Sequence, residues 1–161
     1  MALSQSRLRV QKATSLLRED HYKIKKLFRQ YEATGDESFH EKAALYQKIS
    51  EELTVHAMIE EEIFYPAVAP VRKGKTEGED IVKEALEEHK IVRTLLEELS
   101  ELTAADKVFD AKMKVLTESV EHHAEEEEED MFPLFDLLPR EEQSEITEKL
   151  NIRKRELTES A

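Results

Sequence analysis

A chain of 161 residues is long enough to bury a real core and short enough to be most simply one domain, 1–161. Three glycines and four prolines favour long helices over a sheet, and a net charge of −13 argues against a nucleic-acid or anionic-membrane partner while suiting cation capture. The absence of cysteine excludes disulfides, thiolate zinc sites and iron–sulfur ligation, and no apolar run approaches the roughly 20 residues of a membrane span, so a cytoplasmic protein is expected.

Residues 1–18 carry Arg7, Arg9, Lys12 and Arg18 and no acid. We read them as the exposed start of a first helix rather than as a transit peptide. From about residue 10 the apolar positions run Val10, Leu17, Ile24, Phe28 and Tyr31, and His21 joins the three- and four-residue steps from Leu17 on, which is the seam of a bundle helix and turns His21 inward. Gly35, with Asp36 and Ser38 around it, ends this helix. A second helix over about 38–67 carries Leu45, Ile49, Leu53, His56, Glu60, Ile63 and Ala67 on its seam, with Pro66 and Pro70 closing it.

Residues 69–80 form the long loop between two halves of the chain. A third helix, about 79–102, shows Val82, Ala85 or Leu86, His89, Val92, Leu96 and Leu99. A break at 103–106 precedes a fourth, about 106–135, with Phe109, Met113, Leu116, Val120, His123, Glu127 and then Asp130 or Met131. After Pro139, Ile146, Leu150 and Leu157 mark a shorter, highly charged helix over about 139–158. The expected fold is all-α: an antiparallel up-down four-helix bundle over about 13–138 with a short C-terminal helix.

The two halves repeat one pattern. His56 and Glu60 stand four apart on one helix face, as do His123 and Glu127, and each histidine is followed ten residues on by proline, Pro66 and Pro133. Upstream, His21 lies 35 residues before His56 and His89 lies 34 before His123. Six polar side chains, three from each half, thus fall in the seam. Buried carboxylates without partners cost several kcal/mol, so this arrangement implies a compensating cation.

His122 also stands four before an acid, Glu126, but the count back from Pro133 and the Leu116–Val120 seam select His123. His40 has no repeat partner and reads as a surface residue. Among the other acids, Glu61, Glu62, Glu126 and Asp130 are candidates for orienting a ligand histidine, and Glu52, Glu61, Glu88 or Glu126 for completing a coordination sphere. The aromatic-proline endings Phe64-Tyr65-Pro66 and Phe132-Pro133 read as helix stops and core plugs. The Glu-x-x-His of ferritin-like di-iron bundles occurs only at Glu37/His40, at a helix start, and no zinc-protease, EF-hand or P-loop motif is present.

These two His-x-x-x-Glu copies, each with its upstream histidine and aromatic-proline ending, resemble the hemerythrin-like family, named for its His-His-Glu cation-binding motif. The resemblance implies His21, His56, His89 and His123 as terminal ligands and Glu60 and Glu127 as bridges between two iron ions joined by an oxide or hydroxide, with zinc or manganese as alternatives. Oxygen-carrying members have a further histidine four residues before the third-helix histidine. Here that position is Ala85. The resemblance therefore implies a nearly symmetric pair, open to a small ligand such as oxygen or nitric oxide, that turns over rather than stores oxygen. The readings kept open are a di-iron protein handling oxygen, nitric oxide or iron, a peroxide-consuming or iron-repair enzyme, and an interaction module with a structural metal. No protein partner is indicated.

Overall fold

The computed structural model describes residues 10–159. Helix α1 spans Ala13–Glu32 and α2 spans Phe39–Ile59, which runs through a π-helical turn, Glu60–Phe64, into the short α3, Tyr65–Val68. A two-residue hairpin follows, β1 (Arg72–Lys73) against β2 (Thr76–Glu77), with Gly74 at φ 62° supplying the left-handed conformation its turn requires. Then come α4, Gly78–Ser100, and α5, Lys107–Glu126, which continues through a second π turn, Glu127–Met131, into α6, Phe132–Phe135. Helix α7, Arg140–Glu159, closes the described chain.

The bundle has the expected antiparallel order, with α2 packed on α1, α4 on α5, and α1 also against α5. Three features differ from expectation. The inter-half loop contains the small hairpin. Helix α7 has 20 residues, as many as α1, and packs against both α1 and α2 with Leu150 fully buried. Its Thr147 hydroxyl accepts the Ala13 N–H at 3.0 Å, satisfying a first-turn donor that Lys12 at the N-cap cannot. The reading of residues 1–18 as the start of α1 lies partly outside the described residues, since 1–9 are among those not described.

The third difference is that neither proline ends its helix. Pro66 has no N–H for a carbonyl one turn back, and its ring would press on that carbonyl in an α-helix. The chain widens instead: the Tyr65 N–H bonds the Glu60 carbonyl, five residues back, and Phe132 does the same with Glu127. Each π turn begins at one of the paired glutamates and ends just before the residue that precedes proline.

The core is in two parts. One apolar cluster gathers Leu17, Ile59, Phe64, Val68, Phe132, Phe135 and Leu150, and the other Ile24, Phe28, Ile49, Leu99, Phe109 and Leu116. On α1, His21 falls between Leu17 of the first and Ile24 of the second, so the polar layer lies between them. The entry to α4 is held by Gly78, where a Cβ would stand 2.1 Å from the Val68 carbonyl oxygen. Gly78→Ala is therefore expected to force the α3–α4 connection apart and cost about 1–3 kcal/mol of stability in denaturant unfolding, whereas the exposed Gly74, with open space around it, should respond only through its positive φ.

Candidate metal centre

All six seam residues meet in one layer. Glu60 and Glu127 are buried to 0% and 1% exposure, and His56, His89 and His123 are buried, with His21 close to it. The donors form two groups whose atoms lie within 4.8 Å of one another: His21, His56, Glu60 and Glu127 in the first, Glu60, His89 and His123 in the second. Glu60 belongs to both. Its Oε1 lies 3.1 Å from His56 Nε2 and 3.4 Å from His89 Nε2, while Glu127 places Oε1 3.2 Å from His21 Nε2 and Oε2 3.3 Å from His123 Nε2. Within each group the two imidazoles stand edge to face, 4.9 Å apart for His21/His56 and again for His89/His123.

Each histidine also has a carboxylate on its outer nitrogen. Asp20 lies 3.0 Å from His56 Nδ1, Glu88 3.2 Å from His123 Nδ1, Glu61 3.4 Å from His89 Nδ1 and Glu128 3.7 Å from His21 Nδ1. Three of these acids are held in turn by a cation: Asp20 by Lys154 of α7, Glu61 by Arg93, and Glu128 by Arg18. A carboxylate on the far nitrogen fixes a ring's tautomer and direction and leaves Nε2 as the inward donor. The inward atoms are short of conventional partners. His56 Nε2, both oxygens of Glu60 and Glu127 Oε1 are buried without a directed hydrogen bond, a costly state that a bound cation relieves. The donor set fits a metal.

The match to known proteins agrees. The model of the hemerythrin HHE cation binding domain covers residues 12–135. The chain belongs to that family. A crystal structure of a related HHE domain-containing protein, the Rv2633c homolog from Mycobacterium kansasii, superposes with a TM-score of 0.79 at 27% identity, over 93% of this chain and 89% of that one. A curated relative, described as a DNA nickase of Nostoc sp. (strain PCC 7120), is 27% identical over 117 residues, which is 73% of this chain. The match spans 31% of the nickase, so the chain covers under a third of that relative's length.

In this HHE domain the structure also gathers residues that spacing alone did not single out. Tyr65, read from sequence as a core plug, sends its hydroxyl into the layer: it donates to Glu127 Oε2 at 2.7 Å and lies 3.0 Å from His89 Nε2 and 3.1 Å from His123 Nε2. The π turn explains this. Tyr65 stands five residues after Glu60, and i→i+5 winding stacks the two on one face, where an α-helix would part them. Phe132 takes the same place after Glu127 and stacks on His21, rings 6.0 Å apart and nearly parallel. The expected near-symmetry of the two halves is thus broken, a hydroxyl on the His89/His123 side facing a phenyl ring on the other.

The orienting acids fall differently too. Of Glu61, Glu62, Glu126 and Asp130, only Glu61 reaches a histidine of the layer; Glu62 pairs with Arg153 at 2.8 Å, Glu126 pairs with the exposed His122 at 3.1 Å, and Asp130 is exposed. Glu52 joins neither donor group, and His40 is exposed. The signal for the missed acids was present. Asp20 and Glu88 each immediately precede the first histidine of their half, and Glu128, like Glu61, immediately follows the buried glutamate.

The HHE layer without metal holds protons in place of cations. Burial alone would depress the His123 imidazole, but Glu127 and Glu88 overcome it and raise its pKa to about 10. Burial likewise opposes His56 and His21, yet Glu60 and Asp20 push the first well up and Glu127 and Glu128 raise the second. Glu127 is driven the other way: burial would raise it, and Glu60, His123 and His21 hold it well below the usual carboxylate range. Burial, with Glu127 and Glu60 beside it, keeps the Tyr65 hydroxyl protonated.

Two outcomes are expected. A histidine pKa raised by folding contributes stability that is complete below about 6.5 and lost as pH rises through the folded value. The chelator-treated protein should therefore melt at progressively lower temperature from pH 6.5 to pH 10, while metal affinity rises over the same range as protons leave the ligands. A melting temperature rising with pH would contradict this. Tyr65→Phe should leave the helices intact but destabilise the chelator-treated protein by about 1–3 kcal/mol in urea, because Glu127 loses its hydroxyl donor.

Proposed function

We propose that this HHE domain binds a pair of iron ions, His21 and His56 holding one, His89 and His123 the other, with Glu60 and Glu127 shared between them. The observation that carries this is the joint membership of Glu60, both of whose oxygens lack a directed partner, in two donor groups, the first of which also leaves His21 Nε2, His56 Nε2 and Glu127 Oε1 without one. Mixed imidazole and carboxylate donors, with no sulfur, suit a di-iron or di-manganese pair better than a lone zinc. Such a pair supplies redox and Lewis-acid chemistry toward oxygen, nitric oxide or peroxide.

The chain's own residues shape that chemistry. The four outer carboxylates hold the imidazoles in one orientation, the two apolar clusters flank the layer, and the Tyr65 hydroxyl, donating to Glu127, holds a proton beside His89 and His123. Ala85, buried where oxygen-carrying members have a further histidine, supplies no ligand there, which supports turnover of the small ligand over reversible storage. The reading includes a cytoplasmic setting and no nucleic-acid or membrane partner. A net charge of −13 repels phosphate backbones, and no helix among the described residues is long and apolar enough to cross a membrane.

Metal analysis of protein purified without added metal should give two irons per chain and a coloured sample. Glu127→Ala should lose most of that metal, while Glu126→Ala, on the exposed His122 pair, should keep it. One colourless zinc per chain, or equal loss in both variants, would overturn the assignment.

A further inference from the structure

Helices α2 and α4 stand apart. Each packs on its own hairpin partner, and the space between them is a cavity of about 500 Å³ that opens to solvent on one side and ends at the histidine layer on the other. His21, His56, His89 and His123 all line its inner end, whereas Glu60, Glu127 and Tyr65 lie behind them. Beyond the histidines the wall is apolar, formed by Ile24, Leu53, Val92, Leu96 and Val120, and is continuous with one of the two core clusters. Two straps cross the opening from α2 and its π turn to α4. The Tyr46 hydroxyl donates to the Leu96 carbonyl at 2.8 Å, and Arg93 pairs with Glu61 at 3.2 Å. Tyr46 precedes His56 by ten residues, so the cavity runs about 15 Å along the helix from the far strap to the metal layer.

Its size and polarity decide what it takes. A water molecule claims about 30 Å³ in the liquid, so a diatomic gas needs only a small part of this space; a cavity of about 150 Å³ suffices for benzene. Several polar side chains on the wall are already engaged. Thr54 bonds the Ser50 carbonyl at 2.7 Å, Ser100 the Glu97 carbonyl at 2.6 Å, and Arg93 and Glu61 neutralise each other. Glu97 is an acid and Arg93 is taken by Glu61, so the wall outside the histidine layer offers no free cation to an anionic headgroup, and an apolar wall of this extent left to water forfeits burial.

We propose that the cavity is a binding site for one uncharged, elongated apolar molecule, a medium-length alkyl chain or its alcohol, lying between α2 and α4 with its inner end against the four histidines. The molecule is an organic substrate or effector presented to the metal centre, rather than the small gas alone. Its placement beside a reactive centre rests on the metal-binding reading above; occupancy of the cavity does not.

The test is calorimetric titration of metal-loaded and chelator-treated protein with 1-decanol, and with decanoate as the charged comparison. Saturable binding of one decanol per chain is expected, at least tenfold weaker for decanoate. Val92→Trp, which fills the cavity from α4, should weaken decanol binding at least tenfold, and Leu96→Trp serves if circular dichroism shows that the first variant is not folded. Ala44→Trp, on the exposed side of α2, should leave it unchanged. In the iron-loaded protein, decanol should shift the visible spectrum without removing metal. Absence of saturable binding, binding unaffected in both filled variants, preference for decanoate, or binding that appears only when a dimer is dissociated or residues 1–9 are removed would each overturn the proposal. Decanol binding with no metal uptake would sink the di-iron reading and leave the cavity assigned. Metal uptake with no decanol binding would do the reverse.

Discussion

Everything in this fold answers to one cost, that of burying two carboxylates and four imidazoles between two apolar clusters. A bare carboxylate pair in such surroundings would not stay ionised. Without metal, Glu60 and Glu127 inside the layer and Asp20, Glu88 and Glu128 outside it raise His21, His56 and His123 against their burial, so protons on these three offset the buried carboxylates. The same acids aim the inner nitrogens at common points. Cation binding then replaces one set of positive charges with another at fixed positions, so the site is built before it is filled.

The π turns are the backbone counterpart of this constraint. Proline six residues after each buried glutamate prevents a regular helix from continuing, and the wide turn preserves the helix direction while rotating the following residues. The residue brought onto the glutamate's face is Tyr65 in one half and Phe132 in the other. A chain with two similar halves thereby acquires two unlike sides. Helix α7 adds a second asymmetry, since Lys154 and Arg153 reach Asp20 and Glu62 of the first half. In the second half α7 contributes Gln143, which donates to the Asp136 and Leu138 carbonyls, and Glu88 lies beside His122 and Glu126.

Much of this was legible in the sequence because helical periodicity is strict. Once Leu17, Ile24 and Phe28 define a seam, His21 has one place to go, and the repeat of the pattern in the second half distinguishes His123 from its neighbour His122. What was not legible depends on i→i+5 winding and on contacts between helices. Tyr65 looks like a core aromatic in any α-helical projection and enters the layer only because the π turn resets the phase. Asp20 precedes His21 in the chain yet serves His56 across the bundle, a pairing that follows from helix packing rather than spacing. The packing of α7 was masked by its charge: its span of about 139–158 and its Leu150 were readable, but most of the helix is polar, and its contacts with α1 and α2 show only in the fold.

The central claim is spatial: two cations flank Glu60, one beside His21 and His56 and one beside His89 and His123. Anomalous diffraction from crystals of iron-loaded protein, recorded on both sides of the iron absorption edge, locates them directly. Two peaks in the buried layer, one in each histidine pair and both within coordination distance of Glu60, are the result the account predicts. A single peak, or a peak among Glu88, His122 and Glu126 with the buried layer empty, would contradict it.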